Sequence, residues 1–167
     1  MTIAAFDHLE PSKKKALLQQ CCGSSVWIEK MCNMRAAEDL IDLFEDAEEA
    51  WYECTEADWK EAFLHHPKIG DIDALRKRFS SDQFAGNEQN SVNHASEKSL
   101  QLLAEGNKAY EEKFGYIFIV CATGKSVEEM LEFLNIRLRN SPDEEIKIAM
   151  EEQNKITKLR LEKLFEN

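Results

Sequence analysis

The chain has 167 residues, 43% of them hydrophobic, enough for the core of one ordinary domain and hardly for two. Its 32 Asp and Glu residues outnumber 21 Lys and Arg for a formal charge of -11, which argues against a nucleic-acid partner because phosphate binding needs a basic surface. No apolar run is long enough to cross a bilayer, and Met1 to Pro11 lacks the basic start and apolar stretch of a signal peptide, so a small soluble substrate or a protein partner, no membrane, and a cytoplasmic location are expected.

In chain order, helix signals dominate. Ser12 is placed to cap a helix carrying Ala16, Leu17 and Leu18 that ends near Cys22 and Gly23, after which Trp27, Ile28 and Met31 begin another apolar stretch. The five cysteines, an odd number with Cys21 and Cys22 adjacent and no C-x-x-C, fit reduced thiols without redox work. From Ala36 through Trp51, Leu40, Leu43, Phe44, Ala47 and Trp51 recur at helical spacing. Glu38, Asp42, Glu45, Asp46 and Glu49 between them read as a solvated face in preference to a metal cluster. Thr55 to Asp58, "TEAD", is a capping box opening a short helix through Trp59 and Phe63 that ends near Pro67.

Between Lys68 and Glu97 the periodicity weakens, and "FSSDQFAGNEQNSVNHAS" reads as a loop, either the wall of a site or an insertion. Its place just after the histidines, and the tethering residues Phe79 and Phe84, favour the wall. A long helix follows from Ser96 to Phe114, with Leu100, Leu103, Tyr110 and Phe114 on its apolar side and Gly115 at the stop position. "YIFIVCA", Tyr116 to Ala122, is apolar at nearly every position and has no visible partner strand, so it reads as an extended buried strip. "SVEE" at Ser126 to Glu129 caps the next helix, and "NSPDEE" opens the last one with Ser141 at N-cap and Pro142 at N1. The expected architecture is all-α: a single-domain helical bundle over residues 1–167 with one extended buried apolar segment, Tyr116 to Ala122.

Gly124, Lys125 and Ser126 spell the end of a phosphate-binding loop, but Ile119 stands where its first glycine belongs, so a turn and a helix cap are expected instead. The pair His65 and His66 before Pro67 raises a sharper question. A residue before proline is pushed out of the α region, so His66 leaves the helix that carries His65 and the two rings diverge. With no H-x-x-x-H and scattered thiols, no metal is expected. At a helix C-terminus the dipole favours imidazolium while burial opposes it. Such opposed effects hold a pKa near working pH for acid–base work; the alternative is a histidine that caps a helix end. On the last helix Ala149, Gln153, Ile156, Arg160 and Leu164 share a face, which sets a guanidinium on an apolar stripe. Arg160 is then a snorkelling side chain, half of a buried ion pair, or an anchor for a carboxylate, amide or urea oxygen.

Six segments occur in order: "CCGSSVW" at Cys21 to Trp27, "DWKEAFLHHPKIGD" at Asp58 to Asp71, "NEQ" at Asn87 to Gln89, "FGYIFIVCATGKS" at Phe114 to Ser126, "RLRN" at Arg137 to Asn140 and "ITKLRL" at Ile156 to Leu161. Together they resemble the 2-oxo-4-hydroxy-4-carboxy-5-ureidoimidazoline (OHCU) decarboxylases, enzymes that make (S)-allantoin late in urate breakdown. The resemblance covers nearly the whole chain. It implies an all-helical, cofactor-free decarboxylase, commonly a homodimer, whose catalytic histidine directly precedes proline, here His66.

By the same resemblance, Glu88 and Gln89 are the acidic partner and amide of the site, and Pro67, the main chain of Phe118, Ile119, Val120, Cys121 and Ala122, and Arg160 form the rest of the substrate pocket. Where many relatives carry serine three positions before the glutamate, this chain has Ala85, so a hydroxyl contact to substrate is missing and a water, Asn87 or nothing replaces it. In this reading His66 handles the proton, and Glu88 orients and tunes the imidazole or holds the ureido group. Arg160 and the buried strip grip the anion and amide edges. Two rival classes remain: another small-molecule lyase or hydrolase on the same scaffold, and a non-enzymatic module whose acidic faces bind a partner. The second predicts a solvent-exposed Arg160.

Overall fold

The computed structural model of the protein describes residues 1–66, 72–73, 75–77 and 89–166, with backbone alone for 89–96. Every regular element among the described residues is an α-helix. The principal ones are α1 (Ile3–Asp7), α2 (Pro11–Cys21), α3 (Ser25–Asn33), α4 (Leu40–Tyr52), α5 (Glu56–Leu64), α6 (Gln89–Phe114), α7 (Val127–Arg137) and α8 (Pro142–Phe165). The strip from Tyr116 to Ala122 is neither helix nor strand, as expected; Tyr116, Ile119 and Cys121 are buried in it. No described helix is long and apolar enough to cross a membrane. The chain divides into two compact units, one of Met1–His66, Ile119–Cys121 and Ile146–Asn167, the other of Pro67–Phe118 and Ala122–Glu145.

The first unit is built on the amphipathic faces of α2 to α5 and the body of α8. Phe6, Leu18, Trp27, Met31, Leu43, Ala47, Trp51, Ala62, Met150 and Leu161 are among its buried core residues. A buried indole must place its N–H on an acceptor, and the tryptophans do so across elements. Trp27 donates to the Ala47 carbonyl at 2.9 Å, Trp51 to Met150 at 2.9 Å, and Trp59 to Trp51 at 3.1 Å. Two helix starts differ from expectation. α2 begins at Pro11, not after a Ser12 cap, with Glu10 in the N-cap position, because proline has no N–H to satisfy and a φ already suited to a first turn. α4 begins at Leu40 rather than Ala36, since the Asp39 side chain accepts the Asp42 N–H at 2.9 Å and closes the helix there.

The buried stripe of α8 is also displaced from the expected one. Ile146, Ala149, Met150, Gln153, Asn154, Thr157 and Leu161 are buried, whereas Ile156, Arg160 and Leu164 are half-buried. The face that turns inward is therefore polar at its centre. Each of these polar groups has a partner, as burial demands. Asn154 donates to Glu48 at 3.0 Å, Gln153 to Thr157 at 3.1 Å, and Lys158, one turn beyond Asn154, to Glu48 at 2.6 Å.

In the second unit α6 packs on α7. α6 starts at Gln89, seven residues before the expected Ser96. The polar run from Gln89 to Ala95 contains neither Gly nor Pro, so a helix once nucleated extends through it. Gly115 at φ +80 ends the helix, its N–H donating to Glu111 at 2.9 Å. Gly124 at φ +74 forms the turn ahead of the Ser126 capping box of α7, the bland reading of the "GKS" run. Around Glu145, itself fully buried, lie Arg137 at 2.6 Å, the Tyr110 hydroxyl at 2.5 Å and the Asn140 amide at 2.9 Å.

Candidate active site

The local sequence explains how His66 comes to stand free of its helix. The Thr55 and Asp58 side chains form the capping box that starts α5, and the helix ends at Leu64. His65 occupies the C-cap, its N–H reaching back to Ala62 at 3.1 Å, and His66 lies one residue beyond with its N–H on Phe63 at 3.3 Å. His65 thus finishes the helix. Its ring lies against Gly23, where a Cβ would stand only 2.3 Å from the imidazole Cγ. His65 is exposed; His66 is half-buried.

The His66 ring turns toward α8. Its Nε2 is hydrogen-bonded to the Gln153 side-chain oxygen. Gln153 passes the chain on to Thr157, its amide nitrogen donating to the Thr157 hydroxyl oxygen at 3.1 Å. Burial pushes the Cys22 thiol up to about 12 and the Cys21 thiol up to about 11, so both are neutral sulfur at ordinary pH and neither is a ready nucleophile.

Next to Gln153, Glu152 accepts the Cys121 main-chain N–H at 2.7 Å and an ion pair from Lys155 at 2.5 Å. The carboxylate pins the middle of the apolar strip, Ile119 to Cys121, to α8. Two turns after Gln153 on the same helix, half-buried Arg160 donates from Nη1 to the Cys21 carbonyl at 3.3 Å. That bond uses one of five guanidinium donors and aims the group from the side of α2. Its seven-residue offset from Gln153 returns it to nearly the same helix face, roughly 10 Å along the axis.

Of the residues named from sequence, His66, Ile119, Val120, Cys121 and Arg160 therefore lie in one unit, with α8 as the element to which His66, Cys121 and Arg160 attach. Phe118 and Ala122 belong to the other unit. There the Phe118 ring lies 4.6 Å from the Arg137 guanidinium and 5.2 Å from the Tyr110 ring. Pro67, Ala85 and Glu88 lie outside the described residues, as do Phe79, Phe84 and the side chain of Gln89. Sequence reasoning placed Gln153 on a helix face without giving it a partner, and passed over Glu152 and Thr157. The available signal was Gln153 itself, an amide on an inward helix face one turn before a threonine, where burial obliges it to find partners.

Comparison with known proteins identifies the family. The chain is 38% identical over 147 residues to the uric acid degradation bifunctional protein TTL of Arabidopsis thaliana, covering 87% of this chain and 45% of that protein. It is 30% identical over 109 residues to the 2-oxo-4-hydroxy-4-carboxy-5-ureidoimidazoline decarboxylase of Xenopus laevis, covering 65% of this chain and 62% of that one. The chain thus spans less than two thirds of the length of either relative. A crystal structure of OHCU decarboxylase in the presence of (S)-allantoin is similar with a TM-score of 0.74 and 34% identity, covering 95% of this chain and 100% of that one. A family model described as OHCU decarboxylase matches residues 7–162, and the chain belongs to that family.

Proposed function

We propose that the protein decarboxylates 2-oxo-4-hydroxy-4-carboxy-5-ureidoimidazoline to (S)-allantoin and CO2 in urate breakdown, with residues 7–162 acting as one catalytic domain. The observation that carries this reading is the similarity to OHCU decarboxylase over the whole length of a solved chain. The bond that breaks joins the carboxylate to the hydroxyl-bearing ring carbon, and its electron pair moves through the neighbouring ring carbon to the imine nitrogen, which takes up a proton from solvent. The substrate is its own electron sink, so the chemistry asks for no cofactor.

What remains for the protein is proton handling and charge stabilisation. His66 takes the hydroxyl proton and delivers a proton to one face of the adjacent carbon, which sets the (S) configuration. Glu88 orients the imidazole or holds the ureido group, and Gln89, Pro67 and the main chain of Phe118 to Ala122 line the substrate. With alanine at position 85, no side-chain hydroxyl reaches the substrate from there. Arg160 grips the anionic edge; its half-buried position and bond to Cys21 favour this over an acidic interaction module, which needs that residue exposed. The apolar strip lowers the local dielectric and strengthens these contacts. The enzyme acts in the cytoplasm as a homodimer.

The test generates the unstable substrate in situ from urate with the two upstream enzymes and follows the optical activity of allantoin. Acceleration with an excess of one enantiomer is expected; a racemic product at the background rate overturns the proposal. His66→Asn is expected to lower kcat by about 10²- to 10⁴-fold, the usual range for a positioned acid–base group. His65→Asn stays within about tenfold, and equal losses in the two variants overturn the choice of His66.

A further inference from the structure

The strip Ile119 to Cys121 has no partner strand among the described residues, so its main-chain groups must find partners elsewhere. Ile119 and Cys121 are buried and Val120 between them is half-buried, the alternation of an extended chain. Its tie to α8 is a charged one. One Glu152 carboxylate oxygen accepts the Cys121 N–H at 2.7 Å, while the other pairs with Lys155 at 2.5 Å. The Glu152 side chain is 14% exposed and its bond to the strip is sheltered from water, whereas Lys155, at 61%, offsets the charge from the solvent side. A hydrogen bond to an ionised acceptor is about twice as strong as one between neutral groups. A long helix is also a rigid mount, and a site built on helices is held more precisely than one built on loops.

We propose that Glu152 is a positioning residue for substrate binding: its bond to the Cys121 N–H fixes the register of the strip along α8, and with it the main-chain groups that line the substrate. This rests on the substrate-lining role of the strip proposed above. Glu152 touches no reacting atom; it acts through the backbone of Ile119 to Cys121. Successive side chains on a helix point roughly 100° apart, so Glu152 and its neighbour Gln153 reach different segments, the strip and His66. Losing Glu152 therefore slackens the grip on the substrate and leaves the His66 contact with Gln153 in place. The effect falls on KM more than on kcat. Glutamine at 152 keeps an oxygen at the same reach to accept the Cys121 N–H, and alanine leaves that N–H without its acceptor.

Two measurements test this. Labelling with 15N-cysteine gives a main-chain signal for each of the 5 cysteines, and the Cys121 signal is the one lost in Cys121→Ser. Hydrogen exchange of that amide needs no substrate. It is expected to be slow in the wild type, about 10-fold faster or more in Glu152→Ala, and within about threefold of wild type in Glu152→Gln. In the allantoin assay, Glu152→Ala is expected to raise KM by about 10- to 100-fold with kcat within about threefold, and Glu152→Gln to stay within about threefold in both. A merely structural carboxylate behaves differently, because partial unfolding lowers the active fraction, and so the apparent kcat, at unchanged KM. That pattern in Glu152→Ala, an unchanged Cys121 exchange rate, or a Glu152→Gln protein as impaired as Glu152→Ala overturns the inference while leaving the function standing. A wild-type protein that makes no (S)-allantoin overturns the function, and the inference with it.

Discussion

Gly23 and His65 link two of the ordered sequence segments, and their contact decides where His66 stands. A methyl group on Gly23 would lie 2.3 Å from His65 Cγ, 2.4 Å from Cδ2 and 2.5 Å from Cβ. Carbon atoms rest at about 3.5–4.0 Å, so the gap must open by about 1 Å or more. Rotating the ring does not suffice, because the Cβ position follows the backbone. The C-cap of α5 or the chain around Gly23 must move instead, and His66 is the next residue along. Misplacing a catalytic group by about 1 Å costs about 10²-fold in rate, and forcing a methylene into a packed site costs about 1–3 kcal/mol. Gly23→Ala is therefore expected to lower the initial rate of (S)-allantoin formation about 100-fold, read by circular dichroism with substrate made in situ, and to lower the urea midpoint. Adding His65→Gly removes the offending Cβ and recovers most of the rate. If Gly23→Ala keeps its rate within threefold and its midpoint unchanged, the packing argument fails.

Two further outcomes concern stability. Glu145→Ala leaves the buried Arg137 guanidinium without its carboxylate and removes an acceptor from Tyr110 and Asn140. Breaking a buried pair from one side costs about 3–5 kcal/mol, which urea denaturation measures, and a loss under about 1 kcal/mol contradicts the description of this cluster. The buried thiols predict alkaline weakening: burial holds Cys21 and Cys54 up at about 11 and Cys22 at about 12, against about 8.5 in an unfolded chain. The folded state thus keeps protons that the unfolded state loses, so this stability is complete below about pH 8.5 and falls away as pH rises toward the folded values. Urea midpoints at pH 8 and pH 10 check it; an equal drop in wild type and Cys22→Ala refutes the assignment to Cys22.

Local signals carried most of the architecture. The boxes at Thr55 and Ser126 and the glycine stop at Gly115 appear where the sequence predicts them, because caps and stops are chemistry between residues a few positions apart. The proline after His66 likewise announces the end of α5. Starts were less legible at Pro11, Leu40 and Gln89, where adjacent residues compete for the same role and tertiary packing chooses among them.

By itself, then, the sequence determined an all-α chain, the apolar strip and, through six ordered segments, the decarboxylase family. It could not tell which side chain on α8 meets the histidine. Periodicity assigned Gln153 to a face shared with Arg160, but a face is a sector of a helix and its partners come from 87 residues away in the chain. Only the tertiary structure decided that Gln153 faces His66 and that its neighbour Glu152 holds Cys121. The reason is physical: buried polar groups are satisfied pairwise and directionally, and those pairings form only when distant segments are brought together.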